Sequence, residues 1–126
     1  MRMILAVALG GAIGSVGRYL LAGLVQRALG GDYPWGVMCV NVVGCTIMGA
    51  LVEAMALKWS VGVEMRAFLT VGILGGFTTF SSFALDTATL AGRGGVAAPV
   101  GYVVGSVALS IVGFYAGLLL VRQAMT

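Results

Sequence analysis

The chain has 126 residues, of which 60% are hydrophobic and 9% are charged, and its mean hydropathy is +1.10. A soluble domain of this size needs far more polar surface, so the composition indicates an integral membrane protein. The chain contains no histidine, which removes the usual general base and the commonest metal ligand. We therefore expect no enzyme, no side-chain metal site and no nucleic-acid partner.

Hydrophobic segments follow one another along the chain, each close to the roughly 20 residues that a spanning helix needs. They lie at about residues 3–28, 35–57, 66–91 and 96–122. These segments and their short connections account for the whole chain, so residues 1–126 are predicted to form a single transmembrane domain. The first segment lacks a small-x-small cleavage pattern and is expected to be retained as a helix.

The first segment combines small residues with one charged residue. Gly10, Gly14 and Gly17 recur at helical spacing, which allows another helix to approach closely in lipid. Arg18 then interrupts the apolar run about two thirds of the way along. Its guanidinium either reaches the interface or is paired inside the helix bundle, and the sequence leaves both possibilities open.

The second segment carries one strongly polar interior residue, Asn41. An asparagine facing lipid would leave its amide unsatisfied, so it either bonds another helix or has a functional role. Cys39 and Cys45 lie six residues apart on the same helix. They point to different faces, so they cannot form a disulfide with each other and are expected to pack.

The third segment contains a run unlike the rest of the chain, at residues 75–83. Gly75 and Gly76 weaken helical geometry here, and non-helical backbone is tolerated in a membrane only inside protein or beside a wet cavity. Hydroxyl side chains then alternate with phenylalanines: Thr78, Thr79, Ser81 and Ser82 lie among Phe77, Phe80 and Phe83. We predict a helix broken near the membrane midplane and a functional site at the break.

The fourth segment carries a polar stripe, because Tyr102, Ser106 and Ser110 recur every four residues. The two serines could simply bond the carbonyls of the preceding turn, as membrane serines often do. Together with the tyrosine they could instead line a pathway. Glycines form a second, close-packing face on this helix at positions 101, 105, 113 and 117.

An even number of helices places both termini on one side of the membrane. Basic residues are divided four to two between the sides: Arg2, Lys58, Arg66 and Arg122 lie on the side of the termini, and Arg27 and Arg93 on the other. This weak bias specifies orientation poorly. Four short helices also enclose little space, so an antiparallel homodimer with dual topology is expected, giving the inverted symmetry that transporters build from repeats.

Three motifs, at residues 11–19, 35–41 and 75–83, make the chain resemble the CrcB/Fluc fluoride channels over its whole length. The resemblance implies a dual-topology homodimer with two pores in the bacterial plasma (inner) membrane. Its expected activity is passive, selective export of fluoride. The chain has no nucleotide-binding motif and no titratable base in mid-helix, so a channel is expected rather than a pump.

The resemblance also implies roles for individual residues. Phe80 and Phe83 would present ring edges to the anion, since the aromatic quadrupole is positive at its edge, and Asn41 would donate an amide hydrogen bond to it. Ser81, Tyr102, Ser106 and Ser110 would complete the pathway. Backbone carbonyls of Gly75 and Thr78, from both subunits, would hold a structural sodium ion at the dimer interface. Arg18 would attract fluoride at the aqueous entrance.

The chain departs from the family pattern at three positions. Val37 and Phe114 replace threonines, and Asp86 replaces a glutamate. These residues belong to one polar track in the family, so the far half of the pathway is where this chain is expected to differ.

Two other function classes compete with a channel. A small multidrug-type transporter shares four helices and dual topology, but it needs a carboxylate in helix one, where this chain has Arg18. A structural membrane subunit would use the hydroxyls and phenylalanines for packing alone. Such a subunit would be insensitive to single changes in the stripe of the fourth helix.

Overall fold

The computed structural model describes residues 1–126 and contains only helices and short connections. Four stretches are long and apolar enough to cross a membrane, which confirms the predicted all-helical architecture: Arg2–Leu29, Trp35–Leu57, Val63–Gly92 and Ala97–Met125. We label the first two α1 and α2. The third consists of α3 (Val63–Ala67), a π-helical segment (Phe68–Leu74), α4 (Gly75–Phe77) and α5 (Phe80–Gly92), and α6 is the fourth.

The helix bounds differ from those predicted mainly at the start of the third stretch. It begins at Val63 rather than at about residue 66. Glu64 lies in the first turn, where the partial positive charge of a helix N-terminus favours a carboxylate. The last helix also runs three residues further than predicted, to Met125.

The third stretch is interrupted between α4 and α5. Thr78 has φ −77° and ψ 157°, and Thr79 has φ −152° and ψ 125°, so both residues are extended. The parts on either side of this interruption pack on different neighbours. The π-helical segment and α4 lie against α1, whereas α5 lies mainly against α6. The interruption therefore lets one stretch of chain serve two sides of the bundle.

Glycines allow two pairs of elements to pack with their backbones almost in contact. On α1, a Cβ atom at Gly14 would collide with the carbonyl group of Ile73 in the π-helical segment. On α6, a Cβ atom at Gly117 would collide with the carbonyl group of Thr46 in α2. Gly101 differs, because nothing lies within 4 Å of its Cβ position. Gly105 faces only the end of the Met38 side chain, so the close backbone packing of α6 within the chain lies toward its C-terminal half.

Few residues of the single chain are buried. Only 16 of 126 residues are buried and the accessible area is 7447 Å², whereas a soluble monomer of this mass would expose about 6,300 Å². Large apolar side chains are exposed on every long helix. Such a surface must be covered by lipid or by another protein chain.

Candidate functional site

A cleft of about 430 Å³ lies beside the interruption in the third stretch, with walls from α2, α5 and α6. It brings together most of the site residues predicted from the sequence, although these are spread over more than half of the chain. Its lining consists of Asn41, Cys45, Gly75, Thr78, Thr79, Phe80, Phe83, Ser106, Val107, Ser110 and Ile111. The cleft is therefore the candidate site.

Asn41 is hydrogen-bonded to the interrupted backbone. Its Nδ2 donates to the carbonyl oxygen of Thr79 at 3.0 Å, and its Oδ1 accepts the Thr79 N–H at 2.8 Å. The carboxamide thus replaces both helical partners that Thr79 lacks. One amide hydrogen of Asn41 remains for another acceptor, since a carboxamide nitrogen carries two.

Thr79 is a site residue that the sequence reasoning grouped with its neighbours without giving it a role. Its Oγ1 accepts the backbone N–H of Ser82 at 3.1 Å and lies 3.3 Å from the Ser81 hydroxyl. Thr79 is therefore the N-cap of α5, a position that favours threonine and serine. The preference of hydroxyl residues for N-caps is the signal that would have found it.

Two backbone oxygens at the interruption lack their usual helical donors. The Thr79 N–H, which would serve the carbonyl of Gly75 in a continuous helix, goes to Asn41 instead. The carbonyl of Thr78 accepts no hydrogen bond from the chain. Uncharged, hard oxygen donors of this kind suit a cation such as sodium. The donor set therefore fits the metal ion that the family resemblance implies for Gly75 and Thr78.

Aromatic rings continue from the cleft toward one end of the molecule. The ring centroids of Phe80 and Phe83 are 5.4 Å apart, and those of Phe83 and Tyr102 are 5.3 Å apart. Phe83 is 8% exposed and Tyr102 is fully buried, whereas Phe80 is 78% exposed. Tyr33, which the sequence did not single out, extends the row edge-on to Tyr102 at 5.7 Å.

Tyr102 links this row of rings to a carboxylate. Its hydroxyl donates to Oδ2 of Asp86 at 3.2 Å. Asp86 also lines a second cleft of about 380 Å³, together with Val37 and Arg93. Two of the three positions that depart from the family pattern thus lie in this second cleft. Phe114 lines neither cleft, and its ring packs edge-on against Tyr115.

The serines of α6 do not bond to their own helix. Ser106 is 3% exposed and its Oγ has no hydrogen-bond partner, and Ser110 likewise makes none. Threonines elsewhere do donate to the preceding turn, as Thr46 does to Val42 and Thr87 does to Phe83, both at 2.8 Å. Backbone bonding, one of the two interpretations of the stripe, is therefore absent at Ser106, which leaves a buried hydroxyl facing the cleft.

Three predicted site residues lie outside the lining of this cleft: Tyr102, which adjoins it through Phe83, Ser81 and Arg18. Ser81 is exposed and contacts it only through its neighbour Thr79. Arg18 is half-buried on α1 and lines neither cleft, and its guanidinium makes no ion pair within the chain. Within a single chain the Arg18 guanidinium thus remains free to contact a second copy, lipid or water.

A family model described as CrcB-like protein, Camphor Resistance (CrcB), matches residues 5–118. The chain belongs to the CrcB family. The membership confirms the resemblance that the three motifs predicted. The matched residues include the lining of both clefts and most of each long helical stretch.

Relatives in the CrcB family are similar over almost their entire length. A protein from Rhodospirillum centenum is 52% identical, with 99% of each chain covered. One from Chelativorans sp. is 50% identical, over 97% of this chain and 98% of the relative. One from Agrobacterium fabrum is 48% identical, over 93% and 94%. Each is named fluoride-specific ion channel FluC, the name of a channel and not of an enzyme.

Proposed function

We propose that this chain forms a fluoride-selective channel that lets fluoride leave the cell passively. The observation that carries the proposal is the buried, unpartnered hydroxyl of Ser106, which lines the same cleft as Phe80 and Phe83. A buried donor without a partner is costly unless something else accepts its hydrogen bond. A small anion passing the cleft supplies that acceptor, and the printed names of the relatives support fluoride as the anion.

Several groups around the cleft together replace the water molecules that hydrate fluoride. Ser106 and Ser110 supply hydroxyl donors, and the remaining amide hydrogen of Asn41 supplies another. The edges of Phe80 and Phe83 offer weakly positive C–H groups in place of water. Ser81 and Tyr102 lie at the borders of this path, next to Thr79 and Phe83 respectively.

A second copy of the chain completes the channel in this proposal. The cleft is open on one side and Phe80 is 78% exposed there, which a lone chain would present to lipid. An antiparallel homodimer with dual topology, in the bacterial plasma (inner) membrane, would cover this face and duplicate the pathway. The interruption at Thr78 and Thr79 then lies near the midplane, inside protein, where non-helical backbone is tolerated.

Sodium is the cofactor proposed for the interruption. The carbonyl groups of Gly75 and Thr78 from both subunits would hold it at the dimer interface. The ion supplies a fixed positive charge close to the path of the anion. Arg18 is proposed to add positive charge at the aqueous entrance, since no carboxylate of the chain neutralises it.

The membrane potential provides the driving force. An inside-negative potential pushes an anion outward with about 2.3 kcal/mol per charge per 100 mV. No coupled ion or nucleotide is needed for export under these conditions. A multidrug-type exchanger is less well supported, because α1 contains no acidic residue for proton exchange.

Fluoride efflux from liposomes tests the proposal. Purified protein is reconstituted with internal potassium fluoride, a potassium ionophore dissipates the charge, and a fluoride electrode records release. We expect rapid fluoride release and no release of chloride from matched vesicles. Equal release of both anions, or none from folded and assembled protein, would overturn the proposed function. Cross-linking in the same vesicles tests the dimer, and replacing all sodium by N-methylglucamine tests the cation.

A further inference from the structure

A third concave surface, away from both clefts, forms a groove between the C-terminal half of α2 and the start of the third stretch. Its volume is about 360 Å³. The lining residues are Met48, Val52, Met55, Ala56, Arg66 and Thr70. The α2 wall is apolar throughout, whereas the only charge is contributed by Arg66. We call this surface the α2–α3 groove.

The charge in the groove has no partner in the chain. The guanidinium of Arg66 makes neither an ion pair nor a hydrogen bond. The nearby hydroxyl of Thr70 donates to the backbone oxygen of Arg66 and leaves the side chain free. Glu64 is the acidic residue of the same short helix, but it does not bridge to Arg66. A five-donor cation beside an apolar wall suits an oxyanion that carries a hydrocarbon chain.

The groove begins at a membrane interface. Lys58 and Trp59 directly follow α2 at this end, and Trp59 is 44% exposed. Tryptophan and lysine are typical of the headgroup region. Arg66 follows them after a short connection, which places it near the same interface. Val52 and Met48 lie about one and two turns before Ala56 along α2, farther from this interface.

We propose that the α2–α3 groove binds an anionic phospholipid, with the phosphate at Arg66 and one acyl chain along Met48, Val52 and Met55. Methionine side chains adapt to irregular apolar partners, and basic pockets between membrane helices bind anionic headgroups. The site is independent of the proposed fluoride pathway, because the groove shares no residue with either cleft.

Lipid binding to purified protein tests the site without any measurement of transport. Native mass spectrometry in neutral detergent compares phosphatidylglycerol with phosphatidylcholine of the same chains. We expect preferential retention of phosphatidylglycerol and a fivefold loss in Arg66→Gln, since one basic residue near a lipid surface contributes about 1 kcal/mol. Arg27→Gln removes the same charge from the far end of α1 and should leave retention unchanged. Arg66→Lys keeps the charge and should retain most of the preference.

A second variant separates the acyl chain from the phosphate. Ala56→Trp fills the groove and should weaken retention of both lipids, while inorganic phosphate should compete poorly with phosphatidylglycerol. If inorganic phosphate competes at equal concentration, the site binds a free anion and the lipid proposal is wrong. Equal retention of the two lipids by the unmodified protein would also overturn it. The same holds if Arg66→Gln or Ala56→Trp dissociates the assembled protein, because the groove would then be an interface between copies.

Discussion

Asn41 and Thr79 exchange two hydrogen bonds, of 2.8 and 3.0 Å, although they are 38 residues apart in the chain. The two bonds satisfy the backbone N–H and C=O of Thr79 at the point where the third stretch leaves helical geometry. An exposed N–H and C=O in a membrane would each be costly, because lipid offers no replacement partner. Asn41 therefore has a structural task in addition to its proposed contact with the anion.

The first prediction concerns this pair. Asn41→Ala leaves both backbone groups of Thr79 without partners, and each unsatisfied buried group costs about 1–3 kcal/mol. We expect a loss of about 2–4 kcal/mol in the free energy of unfolding, measured by circular dichroism during denaturation in detergent. Thr70→Ala is the control, because its hydroxyl bonds only its own helix. Equal stability of Asn41→Ala and the unmodified chain would contradict the structural task of Asn41.

The second prediction separates stability from transport at Ser106. Ser106→Ala removes a buried hydroxyl that has no partner within the chain, so the free energy of unfolding should stay the same or rise. Fluoride flux should fall about tenfold or more, because a hydrogen bond to a charged partner contributes about 1.5–3 kcal/mol.

Thr87→Val provides the matched control for Ser106. The Thr87 hydroxyl bonds the Phe83 carbonyl within α5, so its loss should leave flux unchanged. A structural subunit would show no transport effect in either variant. That result, together with absent flux in the unmodified protein, would favour packing as the only role of the stripe.

The third prediction concerns the two phenylalanines of the cleft. Phe80→Ile should reduce fluoride flux to the level of protein-free vesicles and barely change stability, because this ring is 78% exposed in the chain. Phe83→Ile should abolish flux as well, with a loss of about 1–3 kcal/mol in stability, since Phe83 packs on Tyr102. Liposome efflux measures the effect on flux, and circular dichroism during denaturation in detergent measures the effect on stability.

Leu85→Ile is the control for these substitutions. Leu85 lies on the same helix, is 67% exposed and does not line the cleft. Its replacement introduces the same β-branched residue into α5 without touching the pathway. Persistent fluoride flux in Phe80→Ile would remove this ring from the pathway.

The fourth prediction uses two glycines of α6. Gly117→Ala places a Cβ atom against the Thr46 carbonyl, so α2 and α6 must separate and the free energy of unfolding should fall by about 1–3 kcal/mol. Gly101→Ala has open space within the chain and gains up to about 1 kcal/mol in helix propensity. If Gly101→Ala instead weakens assembly, Gly101 contacts the second copy. Similar effects of both changes would contradict the packing described for α6.

The helices could be predicted because apolar runs of membrane-spanning length are a local signal. The interruption was predictable only in part, because Gly75 and Gly76, expected to weaken the helix, remain helical. The break comes after them, at Thr78 and Thr79, where the run of hydroxyls supplies the N-cap of α5. The hydrogen-bonding partner of the interrupted backbone, in contrast, has no local signal in the sequence. The sequence shows that Asn41 needs a hydrogen bond, but only the packing of α2 on the third stretch identifies Thr79 as the acceptor and donor.

The residues of the site were predictable to different degrees for the same reason. Ser106 and Ser110 follow the helical period, so their common face could be predicted, and both line the cleft. Tyr33 lies in a connection without periodicity, and its contact with Tyr102 depends on how that connection folds back. Gly101 has the spacing of the packing glycines, yet its surroundings are open, because spacing does not reveal where a neighbouring helix ends.

The interruption has a consequence for the order in which the protein is assembled during synthesis. Chains fold from the N-terminus as they are made, so α2 and its Asn41 are already present when Thr79 leaves the ribosome. The π-helical segment and α4 can then dock at once, since α1 is also complete. α5 packs mainly on α6, the last helix to be translated, and therefore finds its neighbour only at the end. The two halves of one membrane stretch thus mature at different times.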